Sequence, residues 1–80
     1  MSKRNPLIAE AELQALLREV RTEAGLRQAD LAEQLRLPQS FVSKYESGER
    51  RLDILELRQV CEVLRVPLQE FIRRLEERLT

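Results

Sequence analysis

The chain has no histidine and no tryptophan, and only one cysteine in its 80 residues. Without histidine it lacks the commonest general base and the commonest metal ligand. A lone cysteine, Cys61, excludes an internal disulfide and any multi-cysteine metal site. Two glycines and three prolines leave little room for long loops. No apolar run approaches the roughly 18 residues of a membrane span, and no apolar segment follows the basic start as it would in a secretory signal. Lys+Arg and Asp+Glu both number 14, so no bulk charge advertises a polyanionic partner. No nucleophile–base pair, metal-ligand set or phosphate-cradling glycine loop is present, so the expectation is a protein that is not an enzyme and holds no metal or cofactor.

What is there is a chain 42% apolar and 35% charged, a globular rather than a disordered balance. Its length fits one small domain. It is expected to be all-α, to stay off membranes and to work in the cytoplasm. Residues 1–9 read as an N-terminal tail and residues 10–80 as a single domain. Asn5-Pro6 has the form of a helix start. From there Leu13, Leu16, Leu17, Val20 and Ala24 recur at helical spacing, and Gly25 ends the run.

A second, short helix covers roughly Gln28 to Leu35, with Leu31, Ala32 and Leu35 inward. Arg36-Leu37-Pro38 breaks it, because a residue before proline is pushed out of the α region. The third helix, about Gln39 to Ser47, stops at Gly48. Asp53-Ile54-Leu55-Glu56 has the spacing of a capping box and opens a fourth helix with Leu57, Val60, Cys61 and Leu64 on one face. Val66-Pro67 breaks the chain again before a terminal helix over about 67–79. No internal repeat, low-complexity segment or flexible linker is evident.

The third helix divides cleanly on a helical wheel. Phe41, Val42 and Tyr45 fall within roughly 100° and form the buried side. Gln39, Ser40, Ser43, Lys44 and Ser47 share the opposite arc, about 140° wide. That arc is short, polar and carries one lysine, where a merely solvated face would be rich in both Glu and Lys. It suits the major groove: glutamine can bond adenine N6 and N7, lysine can donate to guanine O6 and N7, and serine serves either edge. Arg27 and Gln28 precede the helix pair and Arg50-Arg51 follow it, so positive clusters bracket the polar face. Phosphate contacts fix register while base contacts give specificity. Phe41, at the edge of the buried arc, either packs on the domain or touches a thymine methyl. Cys61 reads as a small buried hydrophobe.

The run from Leu26 to Arg51, LRQADLAEQLRLPQSFVSKYESGERR, strongly resembles the phage-repressor and Cro-like helix-turn-helix family, the xenobiotic-response-element type. The resemblance extends over about Leu13 to Phe71, with the helix-turn-helix at about 28–47. It implies a five-helix, lambda-repressor-like all-α domain in which Ala32 lets the two motif helices cross closely and Val42 locks the second. It further implies base reading by Gln39, Ser40, Ser43 and Lys44, and phosphate contacts from Gln28, Arg50 and Arg51; Arg27 and Ser47 beside them are expected to contact phosphates as well. An arginine–glutamate pair, here Arg21 and Glu46, would tie the first helix to the end of the recognition helix. The sequence departs from the family at two positions: Arg36 stands where a glycine is usual, and Pro38 where a serine or threonine cap is common.

The resemblance implies a homodimer on an inverted-repeat operator, and a pairing surface of Leu52, Val66, Phe71, Leu75 and Leu79 is expected. Arg27, Arg50 and Arg51 presented twice would neutralise about six phosphates, for a log–log salt slope near −5. The expected function is a transcriptional regulator, a repressor in its simplest form, with double-stranded DNA as partner and RNA polymerase as a second contact if it activates. With one domain, no dedicated small-molecule sensor is expected. The competing class is an antitoxin-like adaptor that grips a toxin or other protein through the amphipathic terminal helix.

Overall fold

Asn5 caps the first helix, its side-chain oxygen accepting from the Leu7 N–H at 2.8 Å. Pro6, which has no N–H to leave unpaired, is the first helical residue. The computed structural model describes residues 5–80, and they form five α-helices: α1 (Pro6–Glu23), α2 (Gln28–Leu35), α3 (Gln39–Ser47), α4 (Ile54–Leu64) and α5 (Leu68–Leu79). No strand occurs among the described residues. Residues 6–9, expected in the tail, are thus helical, and residues 1–4 of that tail lie outside the described residues. Ala24, expected on the inward stripe, is exposed just beyond the helix end, where Gly25 takes φ +76°.

The core draws Leu16, Leu17 and Val20 from α1, Leu31, Ala32 and Leu35 from α2, and Val42 and Tyr45 from α3. Leu57, Val60, Cys61 and Leu64 of α4 and Phe71 of α5 complete it. Asp53 and Glu56 form the capping box that starts α4: Asp53 Oδ1 accepts from the Glu56 N–H at 2.7 Å, and Glu56 Oε1 from the Asp53 N–H at 3.0 Å.

The turn that joins α2 to α3 is built a second time between α4 and α5. Leu35-Arg36-Leu37-Pro38 and Leu64-Arg65-Val66-Pro67 each hold arginine in the left-handed region at φ 60°. The arginine N–H bonds back to Glu33 O at 3.0 Å or Glu62 O at 3.1 Å, and the following N–H to Ala32 O or Cys61 O at 3.0 Å. These are the two bonds of a Schellman ending. Proline then sets φ −62° ahead of α3 and −54° ahead of α5. Four residues after each proline stands a side chain with no exposure, Val42 in α3 and Phe71 in α5. The α4–α5 pair therefore repeats the α2–α3 turn, a short internal repeat hidden by the absence of glycine at either site.

Helix α5 is fastened to α1. Phe71 plugs the core, while Arg74 pairs with Glu19 and Glu23 and Arg78 with Glu12 and Glu19. Arg74 and Arg78 thus turn inward to α1. The fully buried Phe71 has no surface to offer a second chain, which corrects its place in the expected pairing surface.

Candidate nucleic-acid interface

Helix α3 is held from behind by an ionic network that joins three helices. Arg21 of α1 donates to Glu46 of α3 from Nε to Oε2 at 2.7 Å and from Nη2 to Oε1 at 3.0 Å. Its remaining arm reaches Leu26 O at 2.8 Å, fixing the α1–α2 connection. Gln28, the first residue of α2, donates its amide to Glu46 Oε1 at 3.0 Å. The glutamate carboxylate draws the Arg21 guanidinium further above its ordinary range, against the opposing effect of burial. Arg18 stands 3.7 Å from the same carboxylate. A buried charge is tolerated when paired and fully hydrogen-bonded, and Glu46 meets both conditions.

The opposite face of α3 is free. Gln39, Ser40 and Lys44 are exposed, and Gln39 and Lys44 carry no side-chain hydrogen bond or ion pair among the described residues. Ser43 is half-buried, its hydroxyl donating to Ser40 O at 3.3 Å. Ser47 does the same to Lys44 O at 3.1 Å, and its oxygen accepts from the Glu49 N–H at 3.4 Å. The four residues expected to read bases thus share one projecting face. Phe41 is committed to the domain: its ring meets Tyr45 edge-on at 5.6 Å and lies under the Arg50 guanidinium at 4.6 Å.

The expected phosphate contacts are less free than the sequence suggests. Arg27 pairs with Asp30 at 2.9 Å, and that guanidinium, followed by the Arg27 N–H, holds the Asp30 carboxyl down to about 2. Arg51 reaches back to Glu10 of α1 at 2.6 Å. Both arginine side chains stay four-fifths exposed, and exposed pairs of this kind are weak enough for a phosphate to displace. Arg50 differs: it donates to both oxygens of Glu56 and stacks on Phe41, so it secures the α3–α4 connection. Gln28 spends its amide donor on Glu46 and orients α3 from behind. The sequence reading missed Glu10, Asp30 and Glu56 as partners. Spacing of three pointed to Asp30, but nothing local pointed to Glu10.

The expected pairing residues other than Phe71 are half-buried: Leu52, Val66 and Leu75 pack against the core, and Leu79 lies near the end of α5. Fully displayed apolar side chains sit elsewhere, with Ile54 60% and Leu55 72% exposed in the first turn of α4. Leu55 lies off the Leu57–Val60–Cys61–Leu64 stripe, and that offset was the available signal. Among the described residues no cluster of His, Cys, Asp or Glu could hold a metal ion, and no helix is long and apolar enough to cross a membrane.

The helix-turn-helix family model HTH_3 matches residues 17–71. The fold is similar to that of an XRE-family-like protein from Pseudomonas syringae pv. tomato str. DC3000, 39% identical, with a TM-score of 0.82 over 90% of this chain and 88% of that one. It is also similar to a point mutant of the restriction–modification controller protein C.Esp1396I, 24% identical, TM-score 0.83, over 89% of this chain and 95% of that one. A third similar structure is the clp gene regulator ClgR from C. glutamicum, 24% identical, TM-score 0.78, over 90% of this chain and 92% of that one. The last two likenesses concern the fold alone. No curated protein matches the chain by sequence.

Proposed function

The chain belongs to the XRE-type helix-turn-helix family, and from that membership we propose that it is a sequence-specific DNA-binding transcriptional regulator acting as a homodimer. Helix α3 enters the major groove, with Gln39, Ser40, Ser43 and Lys44 toward base edges. The observation that carries this reading is the division of α3: its rear is locked by Arg21, Gln28 and Glu46, while Gln39 and Lys44 project without partners among the described residues. A reading head needs that combination, fixed in orientation and unspent in hydrogen bonding.

Arg27 and Arg51, with Ser47, flank the groove-facing helix and contact phosphates by giving up Asp30 and Glu10. Arg50 stays with Glu56 and Phe41. Two chains then neutralise about four phosphates, for a salt slope near −4 rather than −5. One nine-residue helix reads too few base pairs to select a site alone. Two copies related by a two-fold axis would lie one DNA turn apart, ~34 Å, on an inverted repeat. The pairing surface centres on Ile54 and Leu55 beside Leu52, with Val66, Leu75 and Leu79 contributing no more than their exposed edges.

The adaptor reading loses support because α5 spends Phe71, Arg74 and Arg78 within its own chain. The protein would act in the cytoplasm with its DNA, repressing by occupying a promoter or activating by touching RNA polymerase beside one. Selection of duplexes from a random library tests the function. A palindromic motif with half-sites one helical turn apart supports it, and no enrichment by folded protein at low salt refutes it.

A further inference from the structure

Arg18 of α1 is left over by the ionic network around Glu46. Its Nε stands 3.7 Å from Glu46 Oε1, too far for a hydrogen bond. That oxygen already accepts from Arg21 Nη2 and from the Gln28 amide, both at 3.0 Å, and the other oxygen accepts from Arg21 Nε at 2.7 Å. Two donors fill the lone pairs of Oε1 and leave none for a third. Arg21 also balances the carboxylate, so the positive charge of Arg18 is uncompensated. The Arg18 side chain is 61% exposed and makes no hydrogen bond among the described residues.

The placement of Arg18 gives that charge a direction. Gln39, Ser43 and Glu46 stand at i, i+4 and i+7 of α3, so they share one edge of its exposed face. Arg18 lies at the C-terminal end of that edge. Phe41 borders the other edge, under the Arg50 guanidinium at 4.6 Å. A helix lying in a major groove has a phosphate backbone along each of its edges. Beside Arg18 opens a cleft of about 190 Å³, lined by Ala11, Gln14, Ala15, Arg18 and Glu46. The two alanines, both exposed, put no long side chain across it. Gln14, one turn before Arg18, spends no side-chain donor among the described residues.

We infer that Arg18 is a further contact for a backbone phosphate of double-stranded DNA, made from α1 and outside the helix-turn-helix itself. Arg27 and Arg51 must first release ion pairs at 2.9 and 2.6 Å, whereas Arg18 releases no hydrogen bond. Like other phosphate contacts it fixes the position of α3 in the groove and reads no sequence. Two chains then neutralise about six phosphates in place of about four, and the salt slope steepens from near −4 to near −5. This contact rests on the DNA-binding reading and adds to it a residue that the sequence did not single out.

Affinity of the full chain for a random-sequence DNA duplex, titrated at several salt concentrations, reads phosphate contacts without base readout. Arg18→Gln should lower the magnitude of the log–log slope by about 1 per bound chain, and Arg18→Lys should retain the slope. Arg18→Gln should also keep the wild-type melting temperature, which separates a phosphate contact from a structural role beside Glu46. Arg65→Gln controls for bulk charge and should keep the wild-type slope, since Arg65 is exposed in the α4–α5 turn and has no ion pair among the described residues. An unchanged slope in Arg18→Gln, an equal loss in Arg65→Gln, or a melting loss in Arg18→Gln as large as that of Arg21→Met would overturn the proposal. Each of those results leaves DNA binding by the wild-type chain intact. A folded wild-type chain that binds no duplex at low salt would instead refute the DNA-binding reading, and this contact with it.

Discussion

Arg21 grips Glu46 through two hydrogen bonds, at 2.7 and 3.0 Å, across 25 residues of sequence, and Glu46 is only 3% exposed. The pair sets the orientation of α3 relative to α1, and Gln28 adds α2 to the same carboxylate at 3.0 Å. Breaking it from one side leaves a buried charge unpaired. Glu46→Leu or Arg21→Met alone should each cost about 3–5 kcal/mol in urea unfolding, while the double replacement should recover much of that loss. A double variant as unstable as the sum of the singles would mean that the two side chains act independently.

The twin turns make matched predictions. Arg36 and Arg65 both sit at φ 60°, where a β-carbon costs about 1–2 kcal/mol. Arg36→Gly and Arg65→Gly should each be neutral to stabilising by up to about 1 kcal/mol, after the added entropy of the unfolded chain is set against the relieved strain. Gly48 is the opposite case. It has φ 89°, and a β-carbon there would stand 2.6 Å from the Gln14 side-chain nitrogen. Gly48→Ala should therefore destabilise by about 1–2 kcal/mol, with Gln14 having to move. Thermal melts of the three variants check both signs.

Arg50 and Arg51 are adjacent but should behave differently on DNA. Arg51→Gln should lower the magnitude of the log–log salt slope by about 2 for a dimer, one phosphate per chain. Arg50→Gln should leave the slope unchanged and lower thermal stability, because its partners are Glu56 and Phe41. Glu10→Gln should tighten DNA binding, since Glu10 holds the Arg51 guanidinium that the proposed phosphate contact would need. Titrations at several salt concentrations separate the three.

Stability should fall away at both extremes of pH. Asp30 is held down to about 2, and Arg74, Arg50 and Arg73 lower Glu19, Glu56 and Glu70 respectively. These carboxylates titrate lower when folded than when unfolded. Their contribution is complete above about pH 4.5 and is lost as the pH drops toward 2. Cys61 is pushed up to about 11 by burial, so its contribution is present below about pH 9 and is lost as the pH rises through 11. Without histidine, no side chain titrates in between at its ordinary value. Denaturation midpoints should be flat from about pH 5 to 9.

The core and the polar outer face of α3 were legible because both depend on local spacing. The apolar stripe 57, 60, 61, 64 and the polar arc 39, 40, 43, 44 need only the helical period. Cap chemistry is equally local, as at Asp53 and Glu56. Arg51 and Glu10 were not legible as a pair, since 41 residues separate them and only the packing of α1 beside the α3–α4 connection brings them together. The same holds for Arg74 and Arg78, which look like a solvated face until α1 is placed against α5. Phe71 fitted an apolar stripe equally well as core or as pairing surface, and the depth at which α5 docks decided for core.

Binding-site selection by the chain in parallel with Gln39→Ala and Lys44→Ala tests the central claim most directly. Each variant should fold normally and lose about 1–3 kcal/mol of discrimination at its own base positions, leaving the rest of a palindromic motif intact. A motif unchanged by both substitutions, or an equal loss at every position, would contradict base reading by the free face of α3.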